Sequence, residues 1–174
     1  MLFSFMKKVI LGATGSIGST LAKSLVKSGD EVHLVGRDEA SLSSLANELN
    51  SSFTTCDMLE ENFTDQILSD LDGTPINGLA YCVGSIDLKP LKLIKKSDFM
   101  QSFNLNLVSA AETIKALADN LKQNKGSIVL FSTVAVKQGF PNHAIVSSSK
   151  GAVEGLTLAL AAEFAPNIRV NCIA

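Results

Sequence analysis

The sequence has few of the residues that build metal centres and disulfide frameworks. Its 174 residues include three cysteines, two histidines and one tyrosine, and there is no tryptophan. The cysteines, Cys56, Cys82 and Cys172, lie far apart, and neither they nor the histidines have the spacing of a zinc site. No metal is therefore expected. Each cysteine ends a strand-like run, which favours a buried small hydrophobic role and a cytoplasmic, reducing compartment.

Charge and hydropathy exclude two further classes of protein. The net charge is −2 and the basic residues are scattered, so the concentrated basic face of a nucleic-acid-binding protein is missing. No apolar run reaches the roughly 18 residues of a membrane span, so no membrane partner is expected. The first residues lack the basic region and cleavage site of a signal peptide. Residues 1–5 are interpreted as a short extension of no clear function.

The sequence does have a regular alternation of β-branched runs and amphipathic helical patterns. The predicted strands are KKVILG, EVHLVG, SSFTTC, INGLAYCVG, GSIVLFST and NIRVNCIA. The first predicted helix closes at Gly29, the second begins after Asp38 as its N-cap, and others cover 59–71, 97–121 and 142–165. This pattern predicts a single α/β domain over residues 1–174. Its expected core is a Rossmann-type, doubly wound parallel sheet of about six strands in the order 3-2-1-4-5-6, with helices on both faces.

A glycine-rich turn joins the first strand to the first helix. In ILGATGSIGS, Gly12, Gly15 and Gly18 permit unusual backbone angles and let a pyrophosphate approach the main chain at a helix N-terminus. The alternative is an ordinary tight turn. The position between the first strand and the first helix favours a dinucleotide site.

The end of the second strand indicates which dinucleotide binds. A carboxylate there binds the ribose 2′-hydroxyl of NAD, whereas an arginine accommodates the 2′-phosphate of NADP. Here Gly36 and Arg37 end the strand, and Asp38 follows. A guanidinium matches a phosphate in a bidentate manner, so NADP(H) is favoured over NAD(H). The alternative is that Arg37 is a surface residue paired with Asp38 or Glu39.

Several motifs occur together in a characteristic order. They are GATGSIG, GR, CD, YCVG, FNLNLVSA, GSIVLFST, VSSSKGAVEGLT and RVNCIA. From Lys7 to its last residue, the sequence resembles the short-chain dehydrogenase/reductase family. The resemblance implies an oxidoreductase that moves a hydride between NADP(H) and a small carbonyl or alcohol substrate.

The resemblance also implies cofactor-binding residues. In the glycine turn these would be Gly12, Thr14, Gly15, Ser16, Ile17 and Gly18. Further along the chain, Arg37 would bind the 2′-phosphate, and Asp57 with Met58 would bind the adenine. Gly84 would line the cofactor path near the adenosine ribose. Two departures from the family pattern are Ser16 in place of the middle glycine and CVG in place of Asn-Ala-Gly.

At the reaction centre, the family pattern is incomplete. The resemblance places a carbonyl-polarising hydroxyl at Thr133, a tyrosine thirteen residues later, and a lysine four residues further on, at Lys150. Lys150 would bind the nicotinamide ribose, and Asn106 would kink the long helix and order a water connected to Lys150. The tyrosine position is Val146, which cannot donate a proton, so impaired turnover is expected.

Two other residues near this position bear on the missing proton donor. Counting the same interval from Ser132 gives Ile145, which is no better a donor than valine. His143 lies three residues before the valine on nearly the same helix face and could titrate near neutrality, so it stays a candidate substitute.

Two functions and two subunit arrangements stay open. The chain is either an impaired NADP(H)-dependent reductase or a non-catalytic dinucleotide-binding sensor or assembly subunit. A homodimer or homotetramer is expected, with Leu156, Leu160 and Phe164 as interface candidates; the alternative is that they face this chain's own sheet. The family continues past RVNCIA into substrate-covering segments, so this chain is expected to lack the substrate-lid region.

Overall fold

The computed structural model describes residues 6–174, so the extension at residues 1–5 lies outside the described residues. Six strands form one parallel sheet in the order β3-β2-β1-β4-β5-β6, which confirms the predicted topology. The strands are β1 (Lys7–Leu11), β2 (Glu31–Gly36), β3 (Ser52–Thr55), β4 (Ile76–Tyr81), β5 (Ser127–Phe131) and β6 (Arg169–Ile173).

The central strand β1 is buried on both faces of the sheet. Its residues Val9, Ile10 and Leu11 are 0% exposed, because the apolar run has no polar alternation and helices cover both sides. All strand pairs are parallel, so their carboxyl ends lie at the same edge of the sheet. Ligand sites in open α/β sheets are built at that edge.

The helices that cover the sheet begin and end close to where the sequence predicts. They are α1 (Ser16–Lys27), α2 (Glu39–Leu49), α3 (Phe63–Leu71), α4 (Lys96–Phe103), α5 (Ser109–Gln123), α6 (Ala135–Gln138) and α7 (Ala144–Phe164), with a 3-10 turn at Leu91–Leu93. The Asp38 side chain accepts a 2.7 Å hydrogen bond from the Ser41 amide, as an N-cap does. Gly29 follows α1 with a φ of 88°, the left-handed conformation expected of a residue that closes a helix.

Two predicted helices needed correction. The helix predicted over 59–71 begins only at Phe63, because the Asp57 carboxylate accepts a 3.0 Å hydrogen bond from the Leu59 amide and holds a turn there. The helix predicted over 97–121 consists of α4 and α5 joined by a π-helical segment, Asn104–Val108. Such widened turns are frequent at functional sites.

Apolar side chains fill a layer on each face of the sheet. One layer lies under α3, α5 and α7, and the other lies under α1 and α2. Leu156, Leu160 and Phe164 are half-buried and pack against the first layer, so they face this chain's own sheet, as the alternative stated for them has it. Cys56 is buried as predicted, whereas Cys82 and Cys172 are only half-buried.

Residues 6–174 contain neither a candidate membrane span nor a candidate metal site. No helix there is both long enough and apolar enough to cross a membrane. The same residues hold no group of three or more His, Cys, Asp or Glu side chains placed to bind a metal ion.

Candidate dinucleotide and reaction site

A cleft of about 570 Å³ opens at the carboxyl edge of the sheet. It crosses the ends of β1, β2, β3 and β4, where the strand order reverses. Most of the cofactor-binding residues expected from the sequence line it, namely Gly12, Thr14, Gly15, Arg37, Asp57, Met58 and Gly84. The cleft therefore brings together residues that are up to 72 positions apart in the chain.

The glycine turn leaves no room for side chains at two positions. Gly12 has a φ of 71°, and a Cβ there would lie 2.9 Å from the Cys82 carbonyl carbon and oxygen. A Cβ on Gly18 would collide with the Gly12 carbonyl oxygen and lie 2.9 Å from the Ala13 Cα. Gly15 has an ordinary φ of −74°, so its backbone conformation does not itself require glycine.

The N-terminus of α1 faces this turn without a side-chain cap. Gly15 is the N-cap residue and supplies no side chain to the first amides of the helix. Ser16 and Ile17 form the first turn, and the Ile17 side chain is exposed rather than packed in the core. Free amides and the positive end of the helix dipole favour an anion at this position.

The Arg37 end of the cleft has an exposed cation and a carboxylate. Arg37 has a side chain that is 72% exposed, and its Nη1 lies 3.7 Å from Asp57 Oδ2, a loose ion pair. Among residues 6–174, neither Asp38 nor Glu39 forms an ion pair with Arg37, so the pairing expected as the alternative is not seen. Hydrogen bonds from Ser41 lower the pKa of Asp38, because that carboxylate caps α2.

At the other end of the cleft, Lys150 and Asn106 flank Gly84. A Cβ built on Gly84 would lie 2.8 Å from Asn106 Oδ1 and 3.1 Å from Lys150 Nζ, so the two polar atoms approach the same point. Within the described part of the chain, Asn106 Oδ1 is buried without a hydrogen-bond partner. Burial lowers the pKa of Lys150. A buried acceptor without a partner beside a buried ammonium suits the hydroxyl groups of a ribose, or a water.

The two hydroxyls at the end of β5 have different partners. Ser132 Oγ donates a 2.5 Å hydrogen bond to Glu154 Oε1. Thr133 Oγ1 accepts a 3.3 Å hydrogen bond from the Ala135 amide, so its own hydrogen can be donated to a substrate oxygen. Of the two, Thr133 is the better candidate to polarise a carbonyl.

No acidic proton is available at the Val146 position. Val146 is 3% exposed and apolar, and the Ser147 hydroxyl next to it donates to the Ala135 carbonyl oxygen at 3.2 Å. His143 Nδ1 lies 2.8 Å from the Pro141 carbonyl oxygen, which makes Nδ1 the protonated nitrogen of the neutral ring.

Tyr81 is buried, and its hydroxyl donates to the Leu105 carbonyl oxygen at 2.7 Å. Burial raises the pKa of Tyr81 above its ordinary value, so this tyrosine is a structural residue.

Sequence reasoning missed two serines that contact the candidate site. Ser102 lies four residues before Asn106 in α4, and Ser149 precedes Lys150 in α7. Both are buried, and their hydroxyl oxygens lie 2.9 Å apart. The helical spacing of Ser102 and Asn106 was a signal that could have identified the first of them.

Comparison with known proteins identifies the family. The short-chain dehydrogenase family matches residues 7–174, and the chain belongs to that family. L-xylulose reductase of Bos taurus is 31% identical over 171 residues, which cover 96% of this chain and 69% of that protein. Carbonyl reductase [NADPH] 2 of Sus scrofa is 31% identical over 177 residues, which cover 99% of this chain and 72% of that protein.

Solved structures agree with this assignment. A short-chain dehydrogenase/reductase family protein superimposes with a TM-score of 0.90 at 25% identity and covers 99% of this chain and 74% of its own. An actinorhodin polyketide ketoreductase solved with NADPH has a TM-score of 0.89 at 25% identity, covering 96% of this chain and 68% of its own. The predicted family and Rossmann-type fold are therefore confirmed, and the chain is an oxidoreductase by family.

Proposed function

We propose that this chain binds NADP(H) in preference to NAD(H) and moves a hydride between it and a small carbonyl or alcohol substrate, with a low rate of turnover. The observation that carries the proposal is the cleft itself. It holds the glycine turn at the uncapped N-terminus of α1 and the exposed Arg37, and it extends to Gly84, where Asn106 Oδ1 and Lys150 Nζ approach one point. These groups suit the pyrophosphate, the 2′-phosphate and the nicotinamide ribose of a dinucleotide, respectively.

The preference for NADP(H) is supported by the charges around Arg37. The only carboxylate next to Arg37 in the cleft, apart from the helix-capping Asp38, is Asp57 at 3.7 Å, and that distance leaves the guanidinium able to bind a phosphate. One of the two carboxylate oxygens of Asp38 is already engaged by the Ser41 amide in capping α2. Both features favour the 2′-phosphate of NADP.

The chemistry at the other end of the cleft uses two protein groups. The dinucleotide supplies or accepts the hydride when it is bound. Thr133 donates a hydrogen bond to the substrate oxygen, and Lys150 holds the ribose hydroxyls beside Asn106. Val146 offers no proton to the oxygen that becomes an alcohol, so that proton must come from water, and the reaction should be slow.

The proposal is tested by binding and turnover together. NADPH and NADH are titrated by fluorescence, and a panel of simple ketones and aldehydes is then assayed with the tighter cofactor. Arg37→Ala should weaken NADPH binding about ten- to a hundredfold while NADH binding changes little, since a charge-assisted contact contributes roughly 1.5–3 kcal/mol. Arg169→Ala, at the start of β6, is the matched control. Equal affinity for both dinucleotides before mutation refutes the preference.

The non-catalytic alternative has its own expected result. A sensor or assembly subunit would bind NADPH and reduce no member of the panel, even after prolonged incubation. The named relatives are reductases and dehydrogenases, which favours the enzyme.

We also propose self-association through the outer face of α7. The helix is mostly apolar over residues 151–162, and the face opposite the core exposes Leu158, Ala159 and Ala162, with Leu158 75% exposed. An apolar helix face of this kind is usually covered. A second copy of the chain is the proposed partner, because Ala159 and Ala162 are small enough for two helices to approach closely beside Leu158. Sedimentation of Ala162→Glu against the wild type tests this, and a concentration-independent wild-type monomer contradicts it.

A further inference from the structure

Three buried side chains form a hydrogen-bonded chain between the π-helical segment and α7. Asn106 Nδ2 donates to the Ser102 carbonyl oxygen at 2.9 Å and to Ser102 Oγ at 3.3 Å. Ser102 Oγ donates to Ser149 Oγ at 2.9 Å, and Ser149 Oγ donates to the Val146 carbonyl oxygen at 3.2 Å. Ser102, Asn106 and Ser149 are 5%, 1% and 0% exposed, so water does not compete for these bonds.

The donor and acceptor roles along this series of hydrogen bonds are fixed where it ends, at the Val146 carbonyl oxygen. The Val146 carbonyl oxygen can only accept, so the Ser149 hydroxyl must donate to it and accept from Ser102. The Ser102 hydroxyl has then given its single hydrogen to Ser149 and can only accept from Asn106. The Asn106 amide nitrogen must therefore face Ser102, and this assigns the two ends of the carboxamide, which look alike by shape.

The orientation of Asn106 determines which atom faces Lys150. With the nitrogen held by Ser102, Oδ1 is directed to the point beside Gly84 that Lys150 Nζ also approaches. A carbonyl oxygen near an ammonium stabilises the charged form, whereas an amide N–H there would destabilise it. The titratable groups that act on Lys150 are the thiols of Cys82 and Cys172, and burial raises the pKa of Cys82 to about 11. The nearby carboxylate of Glu154 is hydrogen-bonded to Ser132.

The same hydrogen-bonded chain is unsuited to carrying protons. It ends on a backbone carbonyl of α7, which cannot pass a proton onward. A plain structural role, tying α4 to α7, is the competing explanation, since Ser102 and Ser149 belong to those helices.

We propose that Ser102 and Ser149 are positioning residues that hold the Asn106 carboxamide with its oxygen toward Lys150, and so keep the Lys150 ammonium charged for binding. The assignment rests on the proposed function only in its last step, the binding of NADPH. The orientation of Asn106 and its effect on Lys150 belong to the protein without cofactor.

The first test follows the titration of Lys150 in the cofactor-free full chain. Carbon-13 lysine labelling gives a side-chain signal for each lysine, and Lys150→Arg identifies the one that belongs to Lys150. Ser102→Ala removes the hydroxyl acceptor of the Asn106 amide and leaves the backbone carbonyl acceptor, so the titration midpoint of Lys150 should fall by about 0.5 pH unit. Asn106→Ala should lower it further, by about 1 pH unit, and adding Ser102→Ala to Asn106→Ala should produce no further change, because the serine acts through the asparagine.

Matched controls separate positioning from a structural role. Thr113→Val removes another buried hydroxyl, one that donates to the Ser109 carbonyl oxygen in α5 away from Asn106, and should leave the Lys150 midpoint unchanged. Melting temperatures are measured for every variant. The inference is overturned if Ser102→Ala lowers the melting temperature but leaves the Lys150 midpoint where it was. Should Ser102→Ala fail to fold, Ser149→Ala decides by the same criterion.

A second measurement connects the orientation to binding. Ser102→Ala should weaken NADPH binding at a pH near the Lys150 midpoint found in the first test, where more of the lysine becomes neutral, and should weaken it less two pH units below that midpoint. An NADPH affinity that changes equally at both pH values overturns the link through Lys150 charge. If the wild type binds no NADPH, the proposed function fails, and the titration still decides the orientation of Asn106.

Discussion

The two ends of the cleft differ in what the chain contributes to them. At the phosphate end, the glycine turn, the uncapped N-terminus of α1 and Arg37 supply backbone amides and one cation. At the reaction end, Lys150 and Asn106 direct their polar atoms to one point beside Gly84, whereas Val146 has no polar side-chain atom. Groups suited to binding are thus present while the proton-donating side chain is missing. The comparison teaches that dinucleotide binding would use the backbone of a turn, whereas proton donation would depend on a single side chain.

The largest expected effect comes from restoring that single side chain. Val146→Tyr would place a phenol one helical turn before Lys150, whose charge lowers the pKa of a neighbouring phenol. General acid catalysis typically contributes about 10²–10⁴-fold, so any carbonyl reduction by the wild type should rise by up to that factor while NADPH affinity changes little. Steady-state assays with the ketone panel measure it.

Val146→Phe is the control for Val146→Tyr. It adds the same ring to a buried position without the hydroxyl, and overpacking alone costs about 1–3 kcal/mol of stability. A rise shared by Val146→Phe would show that ring size, and not proton donation, limits the wild-type rate.

The next prediction concerns the scaffold that carries the phosphate end. His33 in β2 is buried, with Nδ1 2.9 Å from Ser52 Oγ and Nε2 2.9 Å from Thr54 Oγ1 on β3. Burial and then Lys7 lower the pKa of His33 from 6.5 to about 4, so the folded state resists its protonation. The pKa of His33 is lower in the folded state than in the unfolded state. The full free energy of unfolding is therefore present above pH 6.5, and part of it is lost as the pH falls from 6.5 toward 4. The loss should be on the order of 3 kcal/mol.

Urea unfolding at pH 7 and pH 4.5 measures this loss. His33→Gln keeps an amide in place of the ring but does not titrate, so its stability should depend less on pH. β2 and β3 lead into Arg37 and Asp57, so weakened NADPH binding in acid would reflect the scaffold. A wild-type stability that is constant from pH 7 to 4.5 would contradict the burial argument.

A smaller effect is expected at the reaction end of the cleft. Gly84→Ala would put a methyl group within 2.8 Å of Asn106 Oδ1 and 3.1 Å of Lys150 Nζ, in the space where a ribose hydroxyl would bind. NADPH affinity should fall about tenfold, the loss of one or two hydrogen bonds to a charged or buried partner. Gly155→Ala is the control, because a Cβ there meets nothing within 4 Å. Unchanged affinity in Gly84→Ala would place the nicotinamide ribose elsewhere.

Local sequence patterns predicted the phosphate end better than the helices at the other end. The apolar run of β1, the glycine turn and the Asp38 cap are short-range features, and each appears where the sequence indicates. The orientation of Leu156, Leu160 and Phe164 was left open because α7 is mostly apolar after Lys150, with too few polar residues to mark its outer face. The contact between Ser102 and Ser149 joins residues 47 positions apart, and no local pattern encodes such a pair.

The smallest expected effect is at His143, and it tests whether the reaction end truly lacks a proton donor. The ring donates from Nδ1 to the Pro141 carbonyl oxygen and lies 5.4 Å from the Phe140 ring, contacts that fix it at the start of α7. Nδ1 is engaged by the Pro141 carbonyl oxygen, so only Nε2 could serve a substrate. His143→Ala should therefore leave the ketone reduction rate within about twofold of the wild type, well below the typical contribution of a general acid. His143→Gln, which can keep a polar side chain there, should match it. A loss of a hundredfold or more in His143→Ala, with NADPH affinity unchanged, would make His143 the proton donor and remove the difference between the two ends of the cleft.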